Sequence, residues 1–428
     1  MGAPGILARQ IPPTHHGPLR GARLMYTLIP PISASPPERK VIFVGLRGVP
    51  EIQGGVETHV AAISARLAER GWQVEVLGRA PYLPSQRPYV WKGVTVTPVW
   101  APRSRSFEAL AHTALGLIVA AGRNPDLVHI HAIGPALLTP FARLLGLHVV
   151  VTHHGFDYER QKWGRLAKSI LRTGEAMGML FSHANIGVSK VIVDSVRRKF
   201  SVGAIFIPNG VENPFPKLDT SYLDGIQVTP RRYVLSVGRI VEEKRHLDLI
   251  NAFARLNDPG LKLVIAGTAD HAGRYQRAVE AAAAATPGVV MAGFQRGEAL
   301  SQLYRHAGLF VLPSSHEGMP MVLLEALSYG APCLASDIDA NLALDLGRES
   351  YFPLGELDAL AEAMRLRLAA PSTAEGAERA ARVLDSFGWG AIVERTMDVY
   401  ESALLGWRPG GVRHGGTGLR AHVEFGGR

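Results

Sequence analysis

The chain has 428 residues, enough for two domains that each bury a core of their own. Its 47% hydrophobic and 19% charged content excludes a chain disordered throughout, and a single cysteine, Cys333, excludes an internal disulfide framework or a multi-thiolate metal site and fits a reducing compartment. A net charge of +9 favours an anionic partner: nucleic acid, a membrane surface or a phosphorylated substrate.

Residues 1–38 are rich in Pro and Gly and lack periodicity, so they read as a flexible extension. "LMYTLIPPIS" places prolines where the apolar run of a secretory signal would continue, and Met25 is an alternative start to Met1. No stretch approaches the ~20 apolar residues that span a bilayer. From "KVIFVGL" onward, β-branched runs alternate with helical patterns, with strands expected near 41–46, 74–79, 127–132, 148–153, 185–189 and 204–208. The first helix follows Gly54-Gly55; Val56, Val60, Ile63 and Leu67 share one face and Gly71 closes it. "PNGVENPFPKLDTSYLDG" reads as a linker. A second series then runs through "YVLSVGRI", "LKLVIAG", "VVMAGF", "LFVLPS", "PCLAS" and "YFPLG", with Cys333 as a buried strand residue. Helix returns over 375–405.

This alternation argues for parallel sheets covered on both faces. The expected fold class is α/β, with two Rossmann-like doubly wound domains facing a cleft. The domains are placed at 39–212 and 213–385, with a helix over 386–405 crossing back to the first domain and a flexible tail over 406–428.

The cleft is where chemistry is expected, because doubly wound folds bind ligands where strands end and helices begin. In "HEGMPMVLLEALSYGAPCLASDI", Glu317 falls in the loop after a strand and Pro320 suits the first helical position. Backbone N–H groups from Gly318 to Met321 favour an anion there. Glu325 sits among Val322, Leu323, Leu324, Ala326 and Leu327, where a carboxylate needs donors. A ribose diol supplies two. In "VGRIVEEKR", Gly238 leads to Arg239 and Lys244, a fork and a point charge that suit a diphosphate. His154 and Asp157 of "HHGFDYER" are placed close to the cleft. His129, His131, His153 and His154 lack the carboxylates or cysteines that would complete a zinc site, so no metal is expected.

These residues carry a resemblance. "GR" followed by Lys244, with the E-x7-E spacing of Glu317 and Glu325, resembles the retaining glycosyltransferases of family 4, which have the GT-B fold. "LRGVPEIQGGVETHVAAISARLAERGWQVEV" resembles that family's glycine loop and first helix. "VVVTHHGFDYERQKWG" is similar to members that build bacterial surface polysaccharides, rhamnosyltransferases included. The similarity covers roughly residues 40–405.

The resemblance implies an acceptor-binding first domain and a nucleotide-sugar-binding second one. It also implies transfer of a hexosyl or deoxyhexosyl group from a UDP- or GDP-sugar to a glycan hydroxyl, with retention and no cofactor or obligatory metal. Arg239 and Lys244 would then hold the diphosphate, Glu325 the ribose and Glu317 the sugar hydroxyls, with backbone contacts from Gly318 and Met319. Gly54 and Gly55 would approach the diphosphate or acceptor closely, and His131 would lie near the reacting centre. Retention through internal return is favoured over a covalent adduct on Glu317.

One segment speaks to membranes. In "ERQKWGRLAKSILRTGEA", Trp163, Leu166, Ala167, Ile170 and Leu171 form an apolar stripe opposite Lys162, Arg165, Lys168 and Arg172. The expectation is a cytoplasmic enzyme in peripheral contact with anionic lipid, acting on a glycan acceptor such as a polyprenyl-diphosphate-linked one, in polysaccharide (exopolysaccharide) biosynthesis. Rival readings are a nucleotide-sugar epimerase or phosphorylase on the same fold, and a non-catalytic nucleotide or nucleic-acid binder. Aromatics at 7%, without a Lys/Arg-interleaved cluster, argue against nucleic acid. Donor base and sugar, the acceptor linkage and the oligomeric state leave no readable mark.

Overall fold

The computed structural model describes residues 39–102, 107–160, 163–215, 219–269, 273–370 and 374–405. The expected extension over 1–38 and tail over 406–428 lie outside them, as does Lys162.

The first sheet is built from β1 (Lys40–Val44), β2 (Gln73–Arg79), β3 (Tyr89–Trp91), β4 (Val94–Val99), β5 (Leu127–His131), β6 (Val149–His153), β7 (Ala184–Gly187) and β8 (Ile205–Phe206). Their order is β3-β4-β2-β1-β5-β6-β7-β8, parallel except for the β3–β4 pair. That pair is a hairpin the apolar pattern does not reveal. Its turn is Lys92-Gly93, both at positive φ (46° and 77°), as a tight turn between right-twisted strands requires.

The second sheet comprises β9 (Tyr233–Val237), β10 (Lys262–Ala266), β11 (Val289–Gly293), β12 (Leu309–Leu312), β13 (Cys333–Ser336) and β14 (Tyr351–Phe352). It is wholly parallel in the order β11-β10-β9-β12-β13-β14. Counted from β9 this is 3-2-1-4-5-6, the Rossmann order, with its reversal between β9 and β12. The first sheet reverses likewise between β1 and β5. The carboxyl ends of these four strands therefore define where a ligand sits.

Helices cover both faces. Over the first sheet lie α1 (Gly55–Glu69), α2 (Glu108–Ala121), α3 (Thr139–Leu144), α4 (Arg165–Phe181) and α5 (Lys190–Phe200). The second half carries α6 (Ser221–Gly225), α7 (His246–Ala254), α8 (Arg274–Ala285), α9 (Gly297–His306), α10 (Met321–Ser328), α11 (Asp339–Leu342), α12 (Leu357–Ala369), α13 (Ala374–Phe387) and α14 (Trp389–Leu404). Pro320 caps α10 rather than opening it. The helical region near the C-terminus is two helices, and α12 precedes them without having been expected.

Sheet alternation sorts the core into two sides per sheet. Val41, Phe43 and Leu127 pack beneath α1 and α14, whereas Ile42, Val44, Val128 and Ile130 pack beneath α2 to α5. Trp389, Ile392, Val393, Val399 and Tyr400 of α14 belong to the first sheet's core, so the last helix crosses back as expected. Val211 N–H donates to Phe387 O at 2.8 Å, placing the two passages of the chain between the sheets side by side.

The amphipathic segment falls on α4, in a different arrangement from the one its sequence suggests. Leu171 turns inward against Gly134, and Trp163 precedes the helix. Leu166 and Ile170 face outward, 77% and 45% exposed, beside exposed Arg165 and Arg172. Leu180 and Phe181 at the other end of α4 are exposed too, and Leu144 at the end of neighbouring α3 is 85% exposed.

Candidate active site

The loops after β1, β6, β9 and β12 border one cleft of about 1650 Å³ between the two sheets. From the second half, Gly238, Arg239, Lys244, Glu317, Gly318, Met319 and Glu325 all line it. Arg239 follows β9, and Lys244 ends a single 3-10 turn, Glu242–Lys244. Glu317 follows β12 across the reversal point and meets Lys244: Oε1 and Nζ are 2.5 Å apart, with the side chains 12% and 16% exposed. A charge pair this dry is stronger than a surface one.

Glu325 lies on the second turn of α10, between buried Leu324 and Ala326. Tyr304 Oη–H donates to its Oε2 at 2.7 Å. Burial pushes its pKa up to about 7; the Tyr304 donation opposes this and the Glu212 carboxylate adds to it. The residue remains open to the cleft.

The first half brings Gly54, Gly55, His154 and Asp157 to the same cleft. Gly54 is at φ +153°, and a Cβ there would sit 2.2 Å from Glu57 Oε2 and 2.6 Å from an Arg47 guanidinium nitrogen. Its glycine is thus demanded by the Arg47–Glu57 pair under the loop (3.0 Å), besides leaving the loop open to a ligand. Asp157 pairs with Arg160 at 2.9 Å.

His131 corrects an expectation. It does not line the cleft; it is fully buried behind His154, its Nδ1 2.9 Å from His154 Nε2. The reason is strand alternation: Leu127, His129 and His131 share the face beneath α1 and α14. His129 spends both ring nitrogens there, at 2.7 Å from Tyr400 Oη and from Thr152 Oγ1. His153 points to the other face and meets Glu175 at 3.2 Å. The third imidazole beside His131 and His154 comes instead from His59 of α1.

Several contacts across the cleft escape sequence reasoning because they join loops far apart in the chain. Thr268 donates to Gln53 at 2.9 Å, Arg296 pairs with Glu51 at 2.5 Å, and Asn209 N–H points at Met319 Sδ at 3.3 Å. Met319, expected only for its backbone, packs against cores on both sides. The tightest approach is at Gly318, where a Cβ would lie 1.7 Å from His154 O.

Two Rossmann-like sheets whose reversal points face one cleft, with a basic pair and two carboxylates on the second, define a GT-B transferase site. Residues 226–382 match the family described as glycosyl transferases group 1, and residues 53–213 match glycosyltransferase family 4. The chain belongs to this glycosyltransferase family. Among its relatives, a 2-deoxystreptamine N-acetyl-D-glucosaminyltransferase of Streptomyces fradiae is 28% identical, over 83% of this chain and 94% of that one. A phosphatidyl-myo-inositol mannosyltransferase of Mycolicibacterium smegmatis is 25% identical, over 82% and 91%. Among solved structures, a sucrose-phosphate synthase from Thermosynechococcus elongatus superposes with a TM-score of 0.75 at 20% identity, covering 86% of this chain and 99% of that one.

Proposed function

We propose that the protein is a retaining, metal-independent glycosyltransferase that moves a sugar from a UDP- or GDP-sugar to a hydroxyl of a lipid-linked glycan in bacterial polysaccharide synthesis. The observation that carries this reading is the Lys244–Glu317 pair in a cleft that Arg239 and Glu325 also line. Arg239 and Lys244 bind the diphosphate and stabilise the charge that develops on it as the glycosidic bond breaks. Glu325 accepts from the ribose diol, which supplies the donors its apolar surroundings lack. Glu317 accepts from the sugar hydroxyls, while the N–H groups of Gly318 and Met319 face the leaving group.

Retention follows by internal return. The C1–O bond breaks with its electron pair passing to the phosphate. The acceptor oxygen then bonds C1 on the same face, and its proton passes to a phosphate oxygen. No enzymic nucleophile takes part, so mass spectrometry of the wild-type enzyme quenched during turnover of the donor should show no glycosyl-enzyme on Glu317. His154 and Asp157 flank the acceptor side.

The outward Leu166 and Ile170, flanked by Arg165 and Arg172, support peripheral contact with anionic lipid through the first turns of α4. Ala167 of that helix lines the cleft, so an acceptor held in the bilayer would enter alongside it. Among the described residues no helix is long and apolar enough to cross a membrane.

The test is a thermal-shift series with UDP, GDP and their sugars, followed by product NMR. A nucleotide at about 100 times its Kd should stabilise by roughly 2.7 kcal/mol. The transferred sugar should keep its anomeric configuration. Melting unmoved by any nucleotide, or an inverted product, would overturn the reading.

A further inference from the structure

On the acceptor-side wall of the cleft three imidazoles converge from three elements. His59 comes from the second turn of α1, His131 from the end of β5 and His154 from the loop after β6. One ring nitrogen from each lies within 4.8 Å of the other two. Ring centroids are 5.6 Å apart for His59–His131, 5.0 Å for His59–His154 and 5.2 Å for His131–His154. Three imidazoles on a tetrahedral ion, each at ~2.05 Å, hold their nitrogens roughly 3.3 Å apart. His131 Nδ1 and His154 Nε2, now 2.9 Å apart, need only separate slightly.

The surroundings suit a cation of one kind. His59 Nδ1 and His131 Nε2 are buried and have no hydrogen-bond partner. Burial holds the His59 pKa down at about 4 and those of His131 and His154 well below the ordinary 6.5, so all three are neutral with lone pairs available. The rings are braced: His59 by an edge contact with Trp389, and His131 by stacking on Phe43. No carboxylate belongs to the cluster, which disfavours Mg²⁺ and Ca²⁺ and favours a borderline transition metal. His154 reaches the cleft, so the fourth coordination position would open there.

We propose that His59, His131 and His154 form a three-histidine site for a divalent transition metal, Zn²⁺ foremost, distinct from the residues assigned to the donor. The site stands on its own geometry and not on the glycosyltransferase mechanism above. A cation bound there would tie His154 down at the cleft wall.

The experiment uses the full chain without a polyhistidine tag, stripped with chelator and titrated with Co²⁺ and then Zn²⁺. One equivalent of Co²⁺ should produce the visible bands of a four-coordinate nitrogen-ligated ion, and Zn²⁺ should abolish them while Mg²⁺ does not. His59→Asn and, separately, His154→Ala should each weaken Zn²⁺ by about 100-fold or more, since each removes one of three ligands. His154→Ala changes the ring nearest the cleft, so it remains informative if His59→Asn does not fold. The stacked pair His148 and His183, with centroids 4.6 Å apart, is the control. Absence of a stoichiometric site, or binding lost in His148→Ala and kept in His154→Ala, would overturn the proposal.

Discussion

Replacing Glu325 by Gln should move stability and nucleotide affinity in opposite directions. Glutamine keeps an oxygen to accept from Tyr304 Oη and removes the ionisation. In the folded protein the carboxyl has its pKa raised to about 7 from an ordinary 4.5, by burial first. A raised carboxyl pKa means the folded state holds its proton more tightly than the unfolded chain. The resulting penalty is absent below pH 4.5, grows as pH rises through the window from 4.5 to about 7, and is complete above it. At ~1.4 kcal/mol per pH unit across that window the penalty is at most roughly 3.5 kcal/mol, and the residue's opening to the cleft reduces it. Glu325→Gln should therefore be more stable than wild type to urea at pH 8.5, and the two should converge at pH 4.5. Binding should go the other way. Losing a charged acceptor for the ribose diol costs about 1.5–3 kcal/mol, or roughly 10–150-fold in the nucleotide Kd measured calorimetrically. A variant that is less stable at pH 8.5, or that binds the cognate nucleotide as tightly as wild type, would refute the assignment of this carboxylate.

Lys244→Ala removes the cation of a dry pair and strands Glu317; stability should fall by about 1–3 kcal/mol and donor Kd should rise roughly 10-fold or more, readable by urea melts and calorimetry. Lys244→Arg should recover the stability better than the binding, because a fork does not reproduce a point charge. Gly318→Ala puts a Cβ onto His154 O, so the two loops must part; kcat should drop about 100-fold and nucleotide Kd should rise with it, and wild-type values of both would show that this approach is dispensable. Arg165→Glu with Arg172→Glu should abolish co-sedimentation with anionic vesicles at low salt, as should Leu166→Asp with Ile170→Asp. Sedimentation indifferent to both pairs and to salt would remove the membrane contact.

What was legible in the sequence was whatever lies within one strand–loop–helix unit. Glu317 and Glu325 sit on a single such unit after β12, and Arg239 and Lys244 on another after β9, so spacing along the chain already carries their geometry. The alternation of apolar runs likewise showed two doubly wound sheets. It missed the β3–β4 hairpin, whose edge strand Tyr89–Trp91 has too few inward residues to register. It also joined α13 and α14, because a one-residue break at Gly388 leaves the helical pattern unbroken. The histidines show the deeper limit. "HIH" places two rings on one face of β5 by period alone, but both are buried only because α1 and α14 pack over that face, Tyr400 meeting His129 from some 270 residues later. His59 carries no sequence signal beyond its place on α1, and only the packing of α1 against the first sheet brings it to His131 and His154. The half of the cleft on the second sheet is therefore local and motif-bearing, while the half on the first sheet is assembled by tertiary packing, which spacing along the chain does not record.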